Sequence, residues 1–182
     1  ANGRASQVSV AKTEAGIRVG YTMGIVWKDY VVPLAMPKEE YDKRLNAIQR
    51  LAEITGVELV IDEYDNEAWQ GAIAGYEKEP EGGKRCTMCF TYNLSRAARY
   101  AVKNGLKKFS TTLTVSPHKN SEQIFGVGDM LAEVAASQGA SLEFVHYNFK
   151  KQNGFLNSVR LAKEYGLYRQ SYCGCCYSIR SN

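Results

Sequence analysis

Five cysteines fall into two groups, Cys86-Thr-Met-Cys89 and Cys173-Gly-Cys175-Cys176. Thiols three residues apart at the start of a helix place both sulfurs on one side, where free backbone N–H groups and the helix dipole favour the thiolate. Such a pair fits a redox dithiol, half of a zinc site, or two ligands of an iron–sulfur cluster. Arg85 adds a fixed positive charge next to it. In the second group Gly174 admits unusual backbone angles, so the flanking sulfurs either share a metal or close a small strained ring suited to passing electrons. The two groups can also meet as one four-thiolate zinc site, and spacing alone leaves these readings open.

Other residues pair charge with shape. His118 and Lys119 stand in Ser116-Pro-His-Lys-Asn120, a connection leading into a helix whose free N–H groups suit a phosphate; Asn120 or Ser121 as a plain helix cap, with His118 in solvent, explains the same letters. Lys150 and Lys151 lie near Phe149 and Phe155, and Arg169 lies between Tyr168 and Tyr172, a mixture that fits nucleic acid as well as ordinary amphipathic packing. Gly126-x-Gly128 falls inside a helical stretch with no strand before it, so it is not a dinucleotide fingerprint.

The elements that must position these groups are legible from residue 37 onward, while residues 1–36 carry no well-marked element. Pro37, Glu39 and Glu40 open a helix whose Tyr41, Leu45, Ile48 and Leu51 recur at helical spacing up to Gly56. A short apolar run over 57–61 reads as a buried strand, and Asp65 caps a helix carrying Trp69 and Ile73 that runs to Gly75. After a polar loop over 77–83, a helix begins at the first cysteine pair and closes at Gly105. Alternation predicts strands over 107–115 and 142–147, and helices are expected over 121–137 and 154–165. This order predicts an α/β domain with a mainly parallel sheet and helices on both faces, Rossmann-like, followed by a cysteine-bearing tail. In such sheets ligands bind beyond the strand carboxyl ends, which puts the 116–120 and 149–155 loops on one rim.

The chain has 182 residues, 45% hydrophobic and 23% charged, enough for one core without disulfides. Twelve Tyr, six Phe and two Trp exclude disorder, and no apolar run approaches the ~20 residues of a membrane span. An odd number of clustered cysteines and no apolar secretory stretch predict the reducing cytoplasm. The net charge of +4 is unevenly spread: residues 37–81 carry five basic and twelve acidic groups, whereas 82–121 carry eight basic and no acidic ones. Residues 150–182 hold six basic groups and one acidic one, so both cysteine groups sit in positive segments. A positive reactive site expects an anionic partner, with nucleic acid or a phosphorylated small molecule in the lead.

Several stretches in a fixed order carry a family resemblance: Glu79-Pro-Glu-Gly-Gly-Lys-Arg85, Cys86-x-x-Cys89-Phe90, Thr112-Leu-Thr-Val-Ser-Pro-His-Lys-Asn120, Phe149-Lys-Lys151 with Gly154-Phe155, and Lys163-Glu-Tyr-Gly-Leu-Tyr-Arg-Gln170 with Tyr172-Cys-Gly-Cys175. Over residues 37–179 the chain resembles the QueH family, the non-cobalamin epoxyqueuosine reductases. The resemblance implies a Rossmann-like (HUP-type) fold over 37–182. It implies an iron–sulfur-dependent oxidoreductase that reduces epoxyqueuosine to queuosine in the tRNA anticodon loop, served by an electron donor not identified and without a membrane. By matching position it makes Cys86 and Cys89 ligands of a 4Fe-4S cluster, with an additional iron as a further option, and Cys173 and Cys175 a redox-active pair. Cys176 receives no role. Arg85, His118, Lys119, Lys150, Lys151 and Arg169 are the expected RNA-contacting residues, and Asp65 and His118 the candidate proton sources. The family's N-terminal Cys-Cys motif has no counterpart here, because residues 1–36 contain no Cys and no His. The alternative from another class is a zinc-stapled RNA-binding module that reduces nothing.

Overall fold

The computed structural model describes residues 37–179 throughout and, ahead of them, the backbone of four short strands. These are β1 (Val8–Thr13), β2 (Gly16–Tyr21), β3 (Ile25–Val26) and β4 (Asp29–Val31). Helix α1 (Lys38–Thr55) begins after Pro37 and stops where Gly56 turns left-handed and donates its N–H to Ala52 O. Strand β5 (Leu59–Ile61) is half-exposed, not the buried strand expected from its apolar run. Asp65 caps the short helix α2 (Asn66–Ala72) by accepting the Ala68 N–H, and α2 ends before the expected Gly75. Helix α3 (Lys84–Lys103) follows the polar loop, and β6 (Lys108–Ser110) follows α3. Helix α4 (Ser121–Ser137) starts at Asn120, whose side chain accepts the N–H groups of Glu122 and Gln123. Strand β7 (Glu143–Phe144), helix α5 (Gly154–Glu164) and a single 3-10 turn at Cys176–Ser178 complete the described chain.

The strand expected over 107–115 is cut to three residues. Leu113–Val115 coils into a 3-10 turn, with Thr111 Oγ1 accepting the Leu113 N–H. Thr114 Oγ1 donates to Tyr147 O at 2.7 Å and accepts the Phe149 N–H at 3.2 Å. Threonines that read as the polar side of a strand thus replace ladder bonds with side-chain bonds.

The fold is mixed α/β with short parallel pieces. Strand β6 lies between β3, antiparallel to it, and β7, parallel to it; β4 and β5 form a separate parallel pair, and β1 and β2 an antiparallel one. Helices α1, α3 and α4 bury Ile48, Leu51, Leu94 and Ile124 around Phe109 and Phe144. A smaller apolar cluster of Trp69 and Ile73 packs against Met88, Cys89, Tyr92 and Cys175, so α2 serves the cysteines directly. Among the described residues no helix is long and apolar enough to cross a membrane.

Gly128 has a packing reason. A Cβ there would lie 2.2 Å from the ring of Phe144, which is itself locked edge-on against Phe109 at 5.0 Å. Gly126, two residues earlier in the same helix, has open space where a Cβ would go, with nothing within 4 Å. Gly128→Ala should therefore lose about 1–3 kcal/mol through overpacking, whereas Gly126→Ala should gain about 0.5–1 kcal/mol from helix propensity. Urea denaturation of both variants checks the opposite signs; equal shifts would remove the close-packing account.

Candidate active site

Helix α3 delivers Cys86 and Cys89 from its first turns. The irregular tail returns Cys173 and Cys175 to the same place, across more than eighty residues of sequence. The four side chains line one enclosed cavity of about 30 Å³ together with Trp69, Arg85, Phe90, Asn93, Leu113 and Lys119. All five cysteines are free thiols; Cys176 alone is exposed.

The cavity sulfurs have named neighbours. Cys89 Sγ accepts the Trp69 indole N–H at 3.3 Å and an Asn93 amide N–H at 3.4 Å, and Asn93 also donates to Cys89 O at 2.7 Å. The Asn93 Oδ1 is buried without a partner. Cys86 Sγ accepts the Gly82 N–H at 3.2 Å. Burial pushes the Cys89 thiol up to about 12, against the pull of the Trp69 N–H. Burial likewise pushes Cys175 up to about 11, with the Tyr177 backbone N–H and the Arg85 charge acting in the other direction.

The ammonium of Lys119 donates to Cys173 Sγ at 2.9 Å and stands 5.6 Å from the centre of the Phe90 ring. Burial by itself lowers the Lys119 pKa, but the neighbouring sulfurs, Cys173 foremost, outweigh it and hold the group above the ordinary lysine value. Lys119 Nζ thus stands against Cys173 Sγ at the wall of the cavity.

The tail is anchored from α1. Arg44, 1% exposed, donates its Nε–H to Glu40 Oε1 at 2.8 Å, and Glu40 Oε2 accepts the Tyr168 hydroxyl at 2.8 Å. The remaining guanidinium N–H groups reach Cys173 O and Tyr172 O at 3.4 and 3.5 Å, and the guanidinium lies 5.3 Å from the Tyr172 ring centre. Between the two cysteines, Gly174 is buried at φ 108, a conformation side-chain-bearing residues avoid.

Of the residues singled out in the sequence, Cys86, Cys89, Cys173, Cys175, Arg85 and Lys119 share the cavity. Arg85 also clamps the preceding loop, donating from Nη1 to Glu77 O at 2.7 Å and to Glu79 O. Lys150 donates to Lys119 O and to Ser121 Oγ, so it braces the 116–121 connection, and burial lowers its pKa. His118 and Lys151 are exposed and Arg169 is half-buried in the tail; none of the three lines the cavity, nor does Asp65, which is occupied as a helix cap. Sequence reading missed Trp69 as a sulfur donor, Asn93, and the Arg44–Glu40 anchor. The Glu-x-x-x-Arg spacing on α1 was the one available signal, and it is also that of a common solvated helix pair.

The donor set fits a thiolate-bound metal or cluster in its chemistry: four sulfurs face one water-poor space, and N–H groups already point at two of them. Among the described residues, no three His, Cys, Asp or Glu side chains converge closely enough to hold an ion.

The profile of the family described as Epoxyqueuosine reductase QueH matches residues 21–181. Proteins named Epoxyqueuosine reductase QueH are 38% identical in Streptococcus pyogenes serotype M1, 37% in Thermotoga maritima and 39% in Acinetobacter baylyi, over 79%, 81% and 81% of this chain. The matched regions span 57%, 76% and 66% of those relatives' own lengths. With a match covering most of its length, this chain belongs to the QueH family.

Proposed function

We propose that this chain is an oxidoreductase of queuosine biosynthesis, reducing epoxyqueuosine to queuosine in the anticodon loop of tRNA. The observation that carries this reading is the meeting of Cys86, Cys89, Cys173 and Cys175 around one cavity with a lysine ammonium at its wall. Removing an epoxide oxygen to leave an alkene breaks both C–O bonds and consumes two electrons and two protons, and the oxygen departs as water. A dithiol passing to a disulfide releases the same two electrons and two protons. Cys173 and Cys175 are assigned that part, with an external electron donor restoring the dithiol.

Cys86 and Cys89 are assigned as ligands of a 4Fe-4S cluster, which when bound supplies one-electron transfer at short range. The remaining roles belong to side chains. Lys119 Nζ donates to Cys173 Sγ and is assigned as the proton donor to the departing oxygen. Trp69 and Asn93 fix Cys89 with N–H donors, and Phe90 and Leu113 keep the cavity apolar. The parallel pairs β4–β5 and β6–β7 are read as parts of a doubly wound, Rossmann-like sheet of HUP type. Its place is the reducing cytoplasm, where free thiols persist.

Anaerobic reconstitution with iron and sulfide, followed by turnover of an epoxyqueuosine-bearing anticodon stem–loop, is the direct test, read as loss of one oxygen by mass spectrometry. Cys86→Ser and Cys89→Ser should lose iron and turnover together; Cys173→Ser and Cys175→Ser should keep iron and lose turnover by at least about a hundredfold. Stoichiometric zinc, RNA binding lost on chelation and no turnover would establish the zinc-stapled module instead.

The thiols of the metal-free chain can be ranked by alkylation. Exposed Cys176 should react first with iodoacetamide at pH 8, when roughly one in a thousand Cys175 sulfurs is thiolate, given a pKa pushed up to about 11. Raising the pH to 10 stays below that value, so Cys175 should label about a hundredfold faster. Peptide mass spectrometry across the pH series reads this, and a Cys175 rate independent of pH would contradict the burial argument.

A further inference from the structure

Beside the thiol cavity runs a second, open groove of about 360 Å³, within the size range of small-ligand sites. Glu77, Glu79, Glu81, Tyr177 and Ile179 line it, and Arg85 is the wall it shares with the cavity. The 3-10 turn after the second cysteine group presents Tyr177 to water at 44% exposure. Its ring is nevertheless fixed in place, 25° from the plane of the buried Trp69 with centroids 6.5 Å apart, and 5.4 Å from the Arg85 guanidinium. An exposed aromatic face held by two partners is a stacking platform with little conformational entropy left to lose.

Arg85 supplies the second observation. It is 4% exposed, spends Nη1 on Glu77 O and Glu79 O, and keeps its Nε–H buried with no acceptor. A buried donor without a partner calls for an acceptor that the chain itself does not supply, a water or a ligand atom. The rim supplies the third. Glu77, Glu79 and Glu81 stand against Lys78 and Arg85, so carboxylates outnumber cations along the rim by one, and the Glu77 carboxyl is held below the usual range by backbone N–H groups, its own and that of Gly75. A rim richer in carboxylates than in cations favours the flat, uncharged or cationic end of a nucleotide over its phosphates.

We propose that this groove receives the unstacked nucleobase of the RNA substrate, stacked on Tyr177 with an acceptor on the base edge meeting Arg85. The group carried by the base then points past Arg85 toward the thiols. This deepens the reductase reading and rests on it. It also moves the point of entry away from His118, Lys150, Lys151 and Arg169, none of which lines the groove.

The test uses the full chain and a stem–loop RNA with 2-aminopurine at the modified position, whose fluorescence reports unstacking and restacking. Tyr177→Ala should weaken binding about tenfold and abolish the fluorescence change, while Tyr177→Phe, which keeps the ring, should stay within about twofold of the parent. Thermal melts of both variants establish that they are folded. Tyr177→Ala binding like the parent would overturn the proposal, and so would Tyr177→Phe binding as poorly as Tyr177→Ala, because the contact would then be to the hydroxyl. Binding does not require turnover: Tyr177-dependent binding with no reduction would sink the reductase reading and leave the groove standing.

Discussion

A guanidinium out of contact with water must be neutralised where it lies, and in this chain that requirement holds the site together. Arg44 is almost wholly buried on α1, paired with Glu40 one turn earlier, and its other N–H groups reach the backbone of Tyr172 and Cys173. The tail that carries the second cysteine group has no regular element until the 3-10 turn at Cys176–Ser178. Side-chain contacts to α1, the guanidinium under Tyr172 and the Tyr168 hydroxyl on Glu40, join Lys119 on Cys173 and the Trp69 cluster around Cys175 in fixing its position. Removing one member of such a buried pair costs roughly 3–5 kcal/mol because the other charge is stranded. Here the first thing released would be the tail, and with it Cys173 and Cys175. The pair does more to specify where two thiols stand than to add net stability.

Charge elsewhere in the chain is likewise taken up by the protein's own groups. The stretch 82–121 has eight basic residues and no acidic one, which reads as a face for an anionic partner. In the fold, Arg85 is committed to loop carbonyls, Arg96 to Asp62, Lys108 to Glu143 and Lys119 to Cys173. Half of the segment's positive charge is thus paired within the protein, Lys108 with Glu143 across two strands at the surface and the other three at loops and the thiol cavity. A sum over sequence counts these groups as free because it cannot see a carbonyl or a sulfur that only the folded chain brings near.

Helices were readable because each carries its own evidence: Pro37 and Gly56 bound α1, and a cap at Asn120 or Ser121 opens α4, Asn120 proving to be the one that caps. Strands were overread because alternation of Phe with Ser and Thr does not distinguish a ladder from a 3-10 turn closed by threonine hydroxyls, as at Leu113–Val115. The parallel pairs are present, but β1–β2 and β3–β6 are antiparallel, and three of those four strands lie in the first thirty-six residues, where the letters carry no marked element. The cysteines announced themselves by type and spacing. Their companions did not, since Trp69 and Asn93 look like ordinary core and helix residues until their N–H groups are found on Cys89 Sγ. Long-range proximity, not residue type, makes them part of the site.

The polar loop ahead of α3 shows how closely the two pockets are tied. Its residues looked like a surface connection, and several are exposed. Yet the Gly82 N–H points at Cys86 Sγ, Glu79 Oε2 accepts the Lys84 N–H, and Arg85 grips the carbonyls of Glu77 and Glu79 from below. The backbone that orients a cavity thiol is therefore the same backbone that forms one bank of the outer groove. A shift of this loop cannot change the groove without moving the Gly82 donor relative to the sulfur. Through the single side chain of Arg85, what occupies the groove and how the thiols are presented become one mechanical problem. A loop that only spanned two helices would have no need of a buried arginine to hold it.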